Sequence, residues 1–202
     1  MVSNFFTLTK ESIGLYRDKG SKFIGIVSPC NKEEDALLIL KNLKSEYHKA
    51  QHFCYSYKFG VDGLIYKTND DGEPINSAGK PILGQINSFN LTNVIITVIR
   101  YYGGTNLGVG GLIKAYREAA KSAIENGDII PLIVYDWVHL IFSYEDMPFV
   151  MNILKKHKLN FTDNSFEEIC KLTTFIKINE AEKIKLELKK ISSIKIIEKG
   201  IY

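Results

Sequence analysis

The residues best suited to chemistry stand between positions 100 and 121. Gly103, Gly104, Gly108, Gly110 and Gly111, with Thr105 among them, follow a Val/Ile-rich run at 91–101 and precede a stretch of helical periodicity. Glycine admits positive φ and lets a foreign backbone or a phosphate come close. The first amides of a helix also attract anions. The pattern is therefore suited to holding a phosphate. It is not a P-loop, because no Gly-Lys-Ser/Thr follows, and Gly108-x-Gly110 lacks the third glycine of a dinucleotide fingerprint. The alternative is a tight strand-to-helix turn in which the glycines serve close packing. On a helical wheel drawn from Leu112, the residues Tyr116, Ala119 and Ala123 fall together, and Lys114, Arg117 and Lys121 fall opposite. With Arg100 just before the bend, these cations form a candidate surface for RNA or DNA phosphates. The competing possibility is a solvated charged face, tempered by Glu118 and Glu125.

A second candidate is acidic. Asp70, Asp71 and Glu73 place three carboxylates in four residues. Hard cations such as Mg²⁺ want oxygen ligands, but the EF-hand spacing is absent, and Asp-Gly and Glu-Pro are ordinary turn formers. His52 is a candidate acid or base. It shares a strand side with Cys54, but residues two apart on a strand lie roughly 6–7 Å from each other, so no nucleophilic pair is preformed. His48, His139 and His157 show no zinc-ligand spacing. Cys30, Cys54 and Cys170 are far apart and odd in number, which excludes a disulfide framework or a Cys-x-x-Cys site and implies a reducing compartment.

The elements that must position these groups follow from periodicity. Strands are predicted at 12–16 and 23–28. A helix follows, capped by Asn31, with Ala36, Leu37, Leu40, Leu43 and Tyr47 on its apolar face. Residues 51–60 alternate, with Phe53, Tyr55, Tyr57 and Phe59 on one side and His52, Cys54, Ser56 and Lys58 on the other. A short helix fits 78–89, a buried strand 91–101 and a helix 112–126, which Gly127 ends. Pro131 marks a boundary. Beyond it the order is strand 133–142, helix 144–157 with Phe149, Val150, Ile153 and Leu154 inward, strands 160–166 and 169–178, helix 180–191 and strand 193–198. That β-α-β-β-α-β order is a ferredoxin-like split unit. The expectation is an α+β chain with domains at 1–131 and 132–202.

Composition excludes other classes. The chain has 202 residues, 45% hydrophobic and 24% charged, with a net charge of +3, so it is neither disordered nor a strongly basic tail. Residues 1–10 lack the pattern of a signal peptide, and no run nears the roughly 18 apolar residues of a membrane span. The expected place is the cytoplasm, with no membrane partner.

Four ordered motifs then carry a resemblance. They are Lys19-Gly20-Ser21-Lys22-Phe23-Ile24-Gly25; Ala50-Gln51-His52-Phe53-Cys54-Tyr55-Ser56-Tyr57; Asp70-Asp71-Gly72-Glu73-Pro74 with Ala78-Gly79-Lys80-Pro81-Ile82-Leu83; and the run from Arg100-Tyr101-Tyr102-Gly103-Gly104 to Tyr116. Together they resemble the IMPACT/YigZ family. The resemblance implies a first domain with the fold of ribosomal protein S5 domain 2, and a second, ferredoxin-like domain similar to the last domain of elongation factor G. It implies a role in translation regulation. The expectation is a non-enzymatic translation-associated factor with no cofactor and with RNA, the ribosome or a translation-factor protein as partner. The alternatives are a Mg-dependent enzyme acting on a phosphorylated small molecule and a protein-binding regulator. One departure stands out: the family has Ser-Gly-Thr after Glu-Pro, and here Ile75-Asn76-Ser77 takes that place.

Overall fold

The computed structural model describes residues 5–60 and 64–201; the reading of residues 1–10 lies partly outside them. The chain divides into two compact units, with the division between Leu132 and Ile133. Both mix helix and sheet, as an α+β chain does.

The first unit runs β1 (Phe5–Leu8), β2 (Ser12–Asp18), β3 (Ser21–Pro29), α1 (Glu33–Glu46), β4 (His52–Phe59), β5 (Ile65–Asn69), α2 (Gly79–Ser88), β6 (Val94–Tyr101), α3 (Gly108–Glu125) and β7 (Ile129–Leu132). Five strands form one sheet in the order β2-β3-β6-β4-β5, every neighbour antiparallel. β1 and β7 pair separately. Pro131 lies inside β7, opposite Phe6, just before the division between the units.

β6 is buried from Val94 to Arg100, which is why it reads as an unbroken apolar run. β4 beside it alternates. Phe53, Tyr55, Tyr57 and Phe59 pack with Ala36, Leu40 and Leu43 of α1. Cys54, on the other face, joins the core of α2 and α3 with Ile82, Ile86 and Tyr116. Leu37, expected inward, is 45% exposed, one helical step off the stripe. Asn31 does not cap α1; Lys32 occupies the N-cap position, and Glu33, Glu34 and Asp35 supply the negative charge that suits a helix start. α3 lies directly on β2 and β3: a Cβ on Gly14 or Gly25 would overlap the backbone of Ala123 or Ala119.

The second unit runs β8 (Tyr135–Ser143), a 3-10 turn (Tyr144–Asp146), α4 (Met147–Lys156), β9 (Phe161–Phe166), β10 (Ile169–Lys177), α5 (Ile178–Leu188) and β11 (Lys195–Ile201). Its sheet order is β11-β8-β10-β9, antiparallel throughout. Val138, Leu140 and Phe142 of β8 pack with Val150, Ile153 and Leu154 of α4 and Ile184 and Leu188 of α5. Phe149 was expected inward but is 62% exposed, because the buried stripe of α4 runs 150-153-154. No helix among the described residues is long and apolar enough to cross a membrane.

Candidate functional site

The acidic loop joins β5 to α2, and each of its carboxylates has a different task. Asp70 Oδ1 accepts the amides of Ala78 at 3.0 Å and Gly79 at 2.8 Å, and Oδ2 accepts that of Asn76 at 2.9 Å. Asp70 thus satisfies the first amides of α2, where a negative charge opposes the helix dipole favourably. Asp71 Oδ2 accepts the Phe53 amide at 2.7 Å, and its Oδ1 lies 3.6 Å from Lys44 Nζ. Glu73 turns inward with its side chain 4% exposed. The candidate cation site at Asp70, Asp71 and Glu73 does not form: the three carboxylates diverge, and among the described residues no three His, Cys, Asp or Glu side chains converge. Asn76 has φ 65°, the left-handed conformation for which the family uses glycine. Asparagine is among the few other residues that adopt it readily, so the departure at 75–77 keeps the turn.

Glu73 is the centre of a buried knot. Its Oε1 accepts the Tyr116 hydroxyl at 2.7 Å and Arg100 Nη1 at 2.5 Å. The Arg100 guanidinium lies between two rings, 5.4 Å from the Phe23 centroid and 5.3 Å from that of Tyr102. Its Nε has no hydrogen-bond partner. Arg100 had been expected on the surface with the other cations; it is 6% exposed instead. A buried arginine requires a counter-charge, and Glu73 is that charge. Burial pushes the Tyr116 phenol far above its ordinary range, and the neighbouring Cys54 and Glu73 add to the effect.

His52 and Cys54 do not form a nucleophilic pair. Cys54 Sγ donates to the Asp70 carbonyl at 3.0 Å. Burial pushes its thiol well up, so the thiolate needed for attack is suppressed. His52 Nδ1 lies 2.8 Å from the Asp71 carbonyl oxygen; a carbonyl only accepts, so Nδ1 carries the proton. His52 Nε2 is 3.9 Å from Glu73 Oε1. These contacts tie the acidic loop to β4.

The glycine segment separates into a packed part and an open part. A Cβ on Gly103 would overlap Gly20 and Ser21, and the Gly103 amide donates to Ser21 Oγ at 3.1 Å. A Cβ on Gly111 would press on the Leu107 side chain. Gly104 and Gly108, with φ 83° and 72°, and Gly110, helical in backbone, all face open space. α3 begins at Gly108, a turn earlier than the predicted 112, and its N-terminus has neither a side-chain cap nor an acidic residue in the first turn. Thr105 and Lys114 are exposed beside it. Arg117 and Lys121 continue the same helix face, 3.3 Å from Glu118 and 3.6 Å from Glu125. Such exposed pairs hold little energy, about 0–1 kcal/mol, and yield readily to another anion. The structure thus groups Gly104, Thr105, Gly108, Gly110, Lys114, Arg117 and Lys121 on the open side of the bend and helix, while Arg100 lies in the core and the Cβ positions of Gly103 and Gly111 are taken up by Gly20, Ser21 and Leu107. Sequence reasoning assigned Tyr116 to packing alone. A clue to the knot was an arginine near the end of a buried strand, which demands a carboxylate somewhere in the fold.

Residues 19–124, more than half of the chain, match the Impact N-terminal domain. The chain belongs to the IMPACT/YigZ family. It is 27% identical over 180 residues to the IMPACT family member YvyE of Bacillus subtilis (strain 168), covering 89% of this chain and 83% of that one. It is 35% identical over 108 residues to the IMPACT family member YigZ of Escherichia coli (strain K12), covering 52% and 53%. A crystal structure of an hypothetical protein matches with TM-score 0.70 at 23% identity, covering 99% of this chain and 100% of that one; the two share a fold.

Proposed function

We propose that this protein is a non-enzymatic, translation-associated factor of the cytoplasm that binds RNA, free or within the ribosome, through the bend at 104–110 and the basic face of α3. Gly110 carries the proposal. Its backbone is helical, and a Cβ built on it would meet nothing within 4 Å beyond its own stretch of helix, yet glycine costs a helix about 1 kcal/mol relative to alanine. Neither strain nor packing requires glycine here, which supports close approach by something outside the fold. The uncapped amides beside it favour an anion, and Lys114, Arg117 and Lys121 extend that preference along α3.

The kinship to ribosomal protein S5 domain 2, and of the ferredoxin-like second domain to the last domain of elongation factor G, belongs to the same proposal. So does the division into domains at 1–131 and 132–202. The β-α-β-β-α-β order and the sheet order β11-β8-β10-β9 support the ferredoxin-like part. The metal-dependent enzyme loses its main support, because Asp70, Asp71 and Glu73 serve separate partners.

The test is the affinity for labelled RNA and for ribosomes over a range of salt. Affinity is expected to fall steeply with salt, and Lys114→Ala and Arg117→Ala are each expected to weaken binding and reduce the log–log slope by about 1. Absence of binding at low salt overturns the proposal.

A further inference from the structure

The second unit carries a face that α3 and its bend do not explain. α4 and α5 cover one side of its sheet, so alternate residues of each strand turn to the other side. On β8 and β10 those residues include Tyr135, Trp137, Lys171, Phe175 and Lys177. Phe175 stands opposite Trp137, and Lys177 opposite Tyr135. Trp137 and Phe175 meet edge-on, with centroids 4.6 Å apart and planes at 77°. β11 adds Lys195, opposite Ile141. The three lysines are exposed, and the three aromatic residues are half-buried.

On β8, β10 and β11 the charged positions of this face that are named above are all lysine. Its positions on β8, β10 and β11 hold no carboxylate: Asp136 and Glu198 point to the other side, where both pair with Lys185. At one end a hollow of about 510 Å³ opens between Tyr135, Phe175 and Lys177 on the sheet and Lys158 and Asn160 beyond; Glu180 is its single carboxylate. Lys171 and Lys177 stand about 20 Å apart along β10, with Phe175 between them.

We infer that this face is a stacking platform for single-stranded nucleic acid. Bases lie on Tyr135 and Phe175, and phosphates meet Lys171, Lys177 and Lys195. Aromatic rings on the central strands of a four-stranded sheet stack bases in just this way, with little regard to sequence. Protein interfaces are depleted in lysine, whereas three lysines with no carboxylate on the facing positions of β8, β10 and β11 suit a polyanion. The platform is independent of α3 and adds to it a preference for unpaired strands, since a duplex hides its bases.

The experiment measures anisotropy of a labelled single-stranded RNA, and of its duplex, against the full chain at several salt concentrations. Single strands are expected to bind more tightly than duplex. Tyr135→Leu and Phe175→Leu, which keep apolar bulk, are each expected to weaken single-strand binding about 5- to 150-fold, as for one lost stacked base. Lys171→Ala, Lys177→Ala and Lys195→Ala are each expected to reduce the salt slope by about 0.7. Far-UV circular dichroism identifies any leucine variant that fails to fold, and the lysine variants then decide alone. The inference is overturned if folded leucine variants and lysine variants bind as the unmodified chain does, or if duplex binds as tightly as single strand. A loss confined to Lys114→Ala and Arg117→Ala overturns the platform and leaves the α3 proposal standing; the converse overturns α3 alone.

Discussion

Removing the Tyr116 hydroxyl tests the buried knot most directly. Tyr116 is fully buried and donates at 2.7 Å to a Glu73 carboxylate that is itself 4% exposed. Tyr116→Phe leaves the ring in place, edge-on to Phe23 at 5.2 Å, so no cavity opens. What is lost is one hydrogen bond to a charged, buried acceptor, about 1.5–3 kcal/mol. Glu73→Gln strips Arg100 of its counter-charge while Arg100 Nε already lacks a partner; breaking a buried pair from one side costs about 3–5 kcal/mol. Against a typical total of 5–15 kcal/mol for a domain, the second change brings the first unit close to unfolding. The two effects share one oxygen and are expected to be non-additive. The only tryptophan, Trp137, lies in the second unit, so urea unfolding is followed by far-UV circular dichroism and by hydrogen exchange of the α3 and β6 amides. A Tyr116→Phe variant within 0.5 kcal/mol of the unmodified chain refutes the account of the knot.

Three further outcomes are expected. Gly110→Ala stabilises the first unit by up to about 1 kcal/mol while weakening RNA binding, whereas Gly103→Ala destabilises it by pushing its backbone away from the Gly20–Ser21 peptide; thermal melts separate the two. Cys54 resists iodoacetamide in the native chain at pH 8 and reacts only after unfolding, because burial suppresses its thiolate; mass spectrometry of the labelled peptide reads this directly. Lys156 and His157 hold the Glu187 carboxyl down at about 2, below its ordinary 4.5. A depressed carboxylate contributes in full above its unfolded value and loses that contribution as pH falls through the folded one. The stability lost in Glu187→Gln is therefore expected to be largest above pH 4.5 and to shrink toward pH 2, followed by Trp137 emission.

The parts of the fold that were legible in the sequence share a property: each is written in neighbouring residues. Tyr116, Ala119 and Ala123 lie inward and Lys114, Arg117 and Lys121 outward, as the wheel predicts. The alternation of β4 is real, though both of its faces are buried rather than one. β1, β5 and β7 went unseen because they are only four or five residues long, and β5 and β7 are largely exposed, so no alternation marks them. The start of α3 was placed late because Gly108, Gly110 and Gly111 are poor helix formers, yet they occupy its first turn.

By itself the sequence determined the periodic faces of α1, α3 and β4, the two-part order of elements, and the positions where the bend at 103–111 carries glycine. Only the tertiary structure decided that Gly103 is packed while Gly110 is open, that Asp70 caps α2, and that Arg100 is a buried ion rather than a surface cation. The reason is range. Glu73 lies 27 residues from Arg100 and 43 from Tyr116 along the chain. No local pattern records such a partner; it exists only once the sheet has brought β6, α3 and the acidic loop to the same low-dielectric place, where a charge must find its opposite.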